Sequence, residues 1–248
     1  MEELRERIEV LGIPVDIVSQ ENLDPLFSEL LNKTTPSNIV LLSVWDLLRA
    51  RHSGEYRNFV LNAALVIPIS KSIVRGAKFL TGKTPFRYMP FNFVVRILTI
   101  LERRELCVYL LGGKRILSKT ENNIRQTFPK LRIIGRYPGL IKKQDEDTVL
   151  TVIRKSSPNL LLVGRGVQGR EKWLAKNDVR LNPGIRLWCS DLFEVFAKRK
   201  KRPNRVIFDH GLEWIAFCFQ KPLRFFRIFP YIGYNFLLIA RKIKTRKK

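Results

Sequence analysis

The chain has 248 residues, 45% of them hydrophobic, which suits one large globular domain with a sizeable core. The 46 Lys and Arg residues against 22 Asp and Glu give a formal net charge of +24, so the partners expected are polyanions. No secretory signal is expected, because the first twelve residues are charged and lack an apolar core. Three cysteines without Cys-x-x-Cys spacing and two histidines predict reduced thiols, a cytoplasmic setting and no metal site.

Short apolar runs alternate with amphipathic stretches along most of the chain. The runs are rich in Val, Ile and Leu and predict buried parallel strands at residues 38–44, 64–69, 106–111, 131–135, 159–163 and 184–189. Helices are predicted between them at residues 21–32, 55–64, 90–105, 120–128, 145–155 and 169–175. This alternation predicts an α/β fold with a doubly wound, mostly parallel sheet over residues 1–210.

Residues 211–248 break the pattern and predict a basic, aromatic helical appendage. From Lys198 onward the chain carries 15 Lys and Arg residues and two acids. The 13 uncharged residues 228–240 are too few to span a bilayer, which takes roughly 20. Basic flanks and interleaved aromatics are typical of a segment that lies on an anionic membrane surface. The alternative is a helix packed on the domain's own core.

Two strand-to-helix turns carry glycines that could bring backbone amides close to a phosphate. Gly112, Gly113 and Lys114 follow one strand, and Gly164 and Gly166 follow another. Each pair also fits a plain tight turn. A third stretch, Thr81-Gly82-Lys83-Thr84, lacks the preceding glycine of a P-loop, because residue 77 is alanine.

Three motifs, in this order, carry a resemblance to a known family: VYLLGGK (108–114), LLVGRG…REKW (161–173) and GLEW…QKPLRFFR (211–227). The sequence resembles the bacterial TagA/WecG/CpsF glycosyltransferase family from Leu11 to about Phe229. That resemblance implies a Rossmann-like enzyme on the inner face of the cell membrane. Such an enzyme moves an N-acetylhexosamine-type sugar from a UDP donor to a polyprenyl-diphosphate-linked sugar in cell-envelope polysaccharide synthesis, with no metal or other cofactor required.

The resemblance also implies site residues. The candidates for donor binding are those that match the family's glycine turns, the helix after the second turn and an upstream arginine: Gly112, Gly113, Lys114, Gly164, Gly166, Glu171 and Arg87. Those for contact with the membrane or a diphosphate are Arg224, Arg227, Phe225, Phe226 and Phe229. Arginine forks suit diphosphate because they bind its oxygens bidentately.

Departures from the family fall mostly on the chemistry. Its candidate general base, an Asp in an Asp-Gly pair, aligns with Ile69, which cannot take a proton. Other polar positions of the family are replaced here by Ser43, Asn92, Arg170, Glu194 and Phe217. Asp46 and Glu194 are the weak candidates for a displaced acid, and Asp46 also fits a helix N-cap.

Two functional hypotheses follow, and a third is disfavoured. The favoured one is a degenerate, non-catalytic family member that binds or scaffolds at the membrane, with a protein partner or as a homo-oligomer. The alternative is an active transferase with a re-tooled site. Nucleic-acid binding is disfavoured because no recognition signature accompanies the charge.

Overall fold

The computed structural model describes residues 3–52, 54–169, 171–182, 184–202, 204–211 and 229–246. Its centre is a six-stranded, fully parallel sheet with the strand order β4-β3-β8-β7-β5-β6. The strands are β3 Pro36–Leu42, β4 Leu65–Pro68, β5 Cys107–Gly112, β6 Arg132–Pro138, β7 Leu160–Gly164 and β8 Gly184–Ser190. All six predicted strands are confirmed, with shifts of at most three residues at their ends.

Helices cover both faces of the sheet, as a doubly wound fold requires. Side chains alternate along each strand, so Val108 and Leu110 join one core cluster while Tyr109 and Leu111 join the other. On the first face lie α1 Leu23–Leu31, α5 Pro90–Arg103, α6 Lys114–Thr127 and α9 Leu192–Phe196. On the second lie α2 Val44–His52, α3 Gly54–Leu61, α4 Lys71–Thr81, α7 Glu146–Ser156 and α8 Glu171–Lys176.

Several of the described elements were not predicted, including α9 and the short helix Arg205–His210. An antiparallel hairpin, β1 Glu6–Val10 and β2 Ile13–Ile17, turns through Leu11 and Gly12, both of which have positive φ. The helices α2 and α4 were also missed. Helix α2 begins at Val44, which had been assigned to the preceding strand, so the strand prediction was wrong at that end.

The last two helices described are α10 Arg205–His210 and α11 Phe229–Arg246. Helix α11 packs on α4 through Tyr234 and Leu238, which are buried in the same core cluster as the sheet. Gly76 of α4 makes this approach possible, because a Cβ there would collide with the Tyr234 hydroxyl. The alternative of a helix packed on the domain's own core is therefore confirmed for this face. The division of the chain after residue 210 stays a prediction.

The opposite face of α11 carries an exposed apolar row, here called the outer stripe. Its side chains are spaced by three or four residues, and each is 45–69% exposed: Phe229, Ile232, Phe236, Ile239 and Ile243. This spacing puts them on one side of the helix, away from Tyr234 and Leu238. Among the described residues, no helix is long and apolar enough to cross a membrane.

The Tyr234 hydroxyl gives a test of the α11–α4 contact. It is buried, and no described residue accepts or donates a hydrogen bond to it. Burial also raises the pKa of Tyr234 above its ordinary value. Because a buried unpaired hydroxyl costs free energy, Tyr234→Phe is expected to raise the free energy of unfolding by up to about 1 kcal/mol. Chemical denaturation measures this, and a destabilisation of similar size would show that the hydroxyl is paired in solution.

Candidate functional site

A cleft of about 520 Å³ lies at the carboxyl edge of the parallel sheet, where β3, β4 and β8 end. Ligands of open α/β sheets bind at this edge. Ser43 and Ile69, the residues that follow β3 and β4, both line the cleft. They lie side by side because Leu42 pairs with Pro68 and the Ile69 N–H donates to the Leu42 carbonyl at 3.0 Å.

Ser43 and Asp46 form a capping box at the start of α2. The Asp46 N–H donates to Ser43 Oγ at 3.3 Å, while Asp46 Oδ2 accepts from the Ser43 N–H at 3.0 Å and from its hydroxyl. The capping residue is thus Ser43, and Asp46 is the carboxylate that reaches back to it. Asp46 therefore takes part in the capping box. The prediction that Asp46 is the N-cap was wrong, because Ser43 holds that position.

Arg49 lies between two carboxylates in the wall of the cleft. Its Nη2 is 3.0 Å from Asp46 Oδ1, and its Nη1 contacts Glu171 Oε1 from α8. The guanidinium carbon also lies 4.0 Å from the ring centroid of Tyr56 in α3. Three helices, α2, α3 and α8, therefore meet at one arginine.

Electrostatics set these groups apart from surface residues. Burial is the main cause that raises the pKa of Asp46, and the nearby Glu171 raises it further, against the lowering effects of Ser43 and Arg49. Burial and the Asp46 charge likewise raise the pKa of Tyr56. Asp46 consequently holds a proton more readily than an ordinary aspartate does.

The facing wall is built by β8 and the basic segment after α9. Asp191 lies 3.3 Å from Arg165 Nε and 2.6 Å from Lys200 Nζ, and Lys201 lines the same wall. Aromatic side chains complete the cleft: Trp45, Phe59, Phe91 and Trp188. Cations beside aromatic surfaces are chemically suited to a phosphorylated ligand with a planar or sugar ring.

The two glycine turns pack against each other next to the cleft. The Gly113 N–H donates to the Arg165 carbonyl at 2.9 Å, so this amide is already engaged. Gly166 has φ +105°, and a Cβ there would lie 2.6 Å from Gly113 Cα. The glycines of both turns thus serve close backbone packing. Phosphate binding by Gly112, Gly113, Gly164 and Gly166 stays a prediction.

Phe193 of α9 explains the remaining two glycines. A Cβ on Gly112 would lie 2.5 Å from its ring, and one on Gly164 would lie 2.6 Å away. The ring therefore covers the ends of β5 and β7 where both strands lack side chains. This contact fixes α9 beside the turns and, with it, the segment that carries Lys200 and Lys201.

Three other predicted residues lie apart from the described lining of the cleft. Arg87 donates to the Ile69 carbonyl at 2.9 Å and to the Phe208 carbonyl, and its guanidinium stacks on the Phe208 ring. It therefore joins α10 to the end of β4. Lys114 is exposed at the start of α6. Glu194 belongs to α9, and its Oε1 lies 3.7 Å from Arg165 Nη1.

Four predicted membrane or diphosphate contacts, Arg224, Phe225, Phe226 and Arg227, lie outside the described residues. Phe229 begins α11 as part of the outer stripe. Sequence reasoning missed Arg49, Tyr56 and Arg165. The missing signal for Arg49 was the Ser-x-x-Asp capping box at residues 43–46, which places Asp46 and Arg49 one helical turn apart once α2 is recognised.

Comparison with known proteins gives a family match over nearly the whole chain. A sequence model described as the Glycosyl transferase WecG/TagA/CpsF family matches residues 8–248. A Staphylococcus aureus protein from strain NCTC 8325 / PS 47 is 22% identical over 97% of this chain and 96% of its own length. It is named N-acetylglucosaminyldiphosphoundecaprenol N-acetyl-beta-D-mannosaminyltransferase, and the counterpart from strain COL matches to the same extent.

Proposed function

The chain belongs to the WecG/TagA/CpsF family of glycosyl transferases, and from that premise we propose that it transfers a sugar to a polyprenyl-diphosphate-linked acceptor at a membrane surface. The sugar proposed is of the N-acetylmannosamine type, carried by UDP, and the acceptor proposed is an N-acetylglucosaminyl-diphospho-polyprenol. The sugar and the acceptor follow the names of the Staphylococcus aureus relatives, and UDP as the carrier follows from the family resemblance.

The observation that carries the proposal is the open cleft at Ile69. By resemblance this position is where the family keeps its candidate base, and here it faces about 520 Å³ of open space rather than a filled core. Charged groups of both signs converge there, with Asp46, Arg49 and Glu171 on one wall and Arg165 and Lys200 on the other. A site that had lost all ligand binding would have no need to keep these groups aligned.

The membrane side of the proposal rests on α11. Its outer stripe offers an apolar face, and Lys244 is exposed near the end of the helix, whereas Arg241 pairs with Glu9 of β1. Apolar side chains that enter the lipid boundary and basic residues that attract anionic headgroups are the two contributions needed for stable docking. We propose that the protein docks on the anionic inner face of the cell membrane, where a lipid-linked acceptor is found.

A second candidate function, binding without transfer, is favoured by one observation. Ile69 lines the cleft, so the position that the family fills with a carboxylate is apolar here. A protein of this kind would hold UDP-sugar or lipid diphosphate and present it to a partner.

One experiment separates the two functions. Purified protein is incubated with UDP-N-acetylmannosamine and a short-chain N-acetylglucosaminyl-diphospho-polyprenol in anionic vesicles, and lipid-linked disaccharide and UDP are measured. The transferase proposal expects both products in equal amounts, and neither when acceptor is omitted. Binding of UDP-sugar in calorimetry, with no disaccharide at any pH from about 5 to 9, would instead establish the binding function.

A further inference from the structure

We propose that Asp46 is the catalytic base of this transfer, acting from the first turn of α2 beside the position held by Ile69. The inference rests on the proposed transferase function and deepens it. It assigns the chemistry to a carboxylate in the helix that follows β3, the strand next to the one after which the family resemblance expects it.

Strand geometry brings the two positions to one place. β3 and β4 are neighbours in the sheet, and neighbouring strands lie about 4.8 Å apart. Ser43 and Ile69 follow paired residues, so α2 starts directly beside Ile69. Asp46 and Ile69 both line the cleft. A substrate hydroxyl placed over Ile69 is thus within reach of a carboxylate from α2.

The carboxylate is held in position yet keeps capacity for substrate. Asp46 accepts from the Ser43 N–H, the Ser43 hydroxyl and Arg49 Nη2. A carboxylate offers about four lone-pair sites, so one remains after the three bonds that the described residues make to it. The side chain is 26% exposed, on the cleft side. That remaining lone pair is available to an acceptor hydroxyl.

The charged surroundings favour a base that binds protons readily. Arg49 of α2 binds Asp46 directly, and Tyr56 of α3 and Glu171 of α8 both contact that arginine. Arg165, Asp191, Lys200 and Lys201 line the wall across the cleft. Because Glu171 also binds Arg49, the arginine's positive charge is divided between two carboxylates. Burial therefore prevails, and the pKa of Asp46 is raised.

The other carboxylates of the cleft are less suited. Glu171 is 8% exposed at its side chain and is engaged by Arg49. Asp191 is engaged by two cations, Arg165 and Lys200. Glu171 is better placed to position Arg49, and Asp191 is better placed to position Arg165 and Lys200.

The step balances without another reactant. The acceptor sugar's hydroxyl oxygen attacks the anomeric carbon of the donor, and a new glycosidic carbon–oxygen bond forms. The bond between the anomeric carbon and the UDP oxygen breaks, and its electron pair leaves with UDP. The hydroxyl proton passes to an Asp46 carboxylate oxygen and is later released to water.

Asp46→Asn tests the assignment, because the amide oxygen can still accept from Ser43 but cannot take a proton. The expected result is a loss of kcat of about 10²- to 10⁴-fold, with the affinity for UDP-sugar within about threefold of the wild-type value. The matched control is Asp147→Asn, which also lies in the first turn of a helix and pairs with an arginine, Arg180, neither of them a lining residue of the cleft. A folded Asp46→Asn protein with near wild-type kcat would overturn the assignment.

A second variant, Ser43→Ala, keeps the Asp46 carboxylate and tests whether its protonation controls the rate. Asp46 must be ionised to accept a proton, so kcat/KM should fall as the pH falls through its pKa. The Ser43 hydroxyl lowers that pKa, so Ser43→Ala should move the acid limb of the pH profile to higher pH. An unmoved limb would contradict the assignment while leaving the transferase function intact. Failure of the wild-type protein to transfer sugar would overturn both.

Discussion

Gly166→Ala is expected to lower the free energy of unfolding by about 3 kcal/mol, since it combines backbone strain with a backbone collision. Gly166 has φ +105°, which side-chain-bearing residues rarely adopt, and its Cβ would lie 2.6 Å from Gly113 Cα and 2.8 Å from Gly113 N. Neither atom belongs to a side chain that could rotate away. The two glycine turns would have to separate, and Gly113 would lose its bond to the Arg165 carbonyl.

The matched control is Gly82→Ala at the end of α4. Gly82 has φ +77°, but nothing lies within 4 Å of the added Cβ. Only the strain remains, and a loss of about 1 kcal/mol is expected. Urea denaturation of both variants measures the difference. Equal losses would mean that the turns are not packed as closely as described.

Serine at three positions of the outer stripe, Phe236, Ile239 and Ile243, is expected to weaken binding to anionic vesicles about 100-fold. Each side chain is half to two-thirds exposed, so its transfer into lipid contributes about 1 kcal/mol, and three together contribute about 3 kcal/mol. Thermal stability should change little, because none of the three is buried in the protein. Vesicle flotation and a melting curve on the same sample measure the two effects separately.

The control for this variant carries serine beside the stripe, at Asn235 and Ala240, which are also exposed. It should float like the wild-type protein. Leu238→Ala provides the converse, since Leu238 is buried against α4 and its truncation should destabilise the fold by about 2 kcal/mol or more. If the stripe variant floated normally, α11 would not be the element that meets the lipid.

The sheet could be predicted because parallel buried strands leave an unmistakable apolar signal. β4 and β7 are buried at every position, and both were found within one residue of their ends. The hairpin was missed because charged and apolar residues alternate over only the last four positions of β1. Helix α4 was missed although its buried residues, Ile73, Gly76 and Ala77, recur at helical spacing.

The candidate site was harder to predict than the fold, because its parts are distant in sequence. The sequence offers Asp46 as a candidate displaced acid. Arg49 and Tyr56 become part of the site only through the contact of Arg49 with Glu171 of α8, more than a hundred residues later in the chain. The glycine turns were recognised correctly as turns. Their reason, the contact of Gly166 with Gly113 and of Gly112 and Gly164 with Phe193, depends on tertiary packing that no local pattern reveals.

Helix α11 has one apolar face on the protein and the other exposed, so folding and docking are thermodynamically linked. Tyr234 and Leu238 hold the helix on α4 before any lipid is met, which fixes the outward direction of Phe236 and Ile239. A lipid surface that binds this arrangement stabilises the α11–α4 contact by the same free energy with which the contact strengthens binding. With the proposed docking, the membrane would act as an effector of the fold, and the packing of α11 on α4 would set the orientation of the cleft above the lipid.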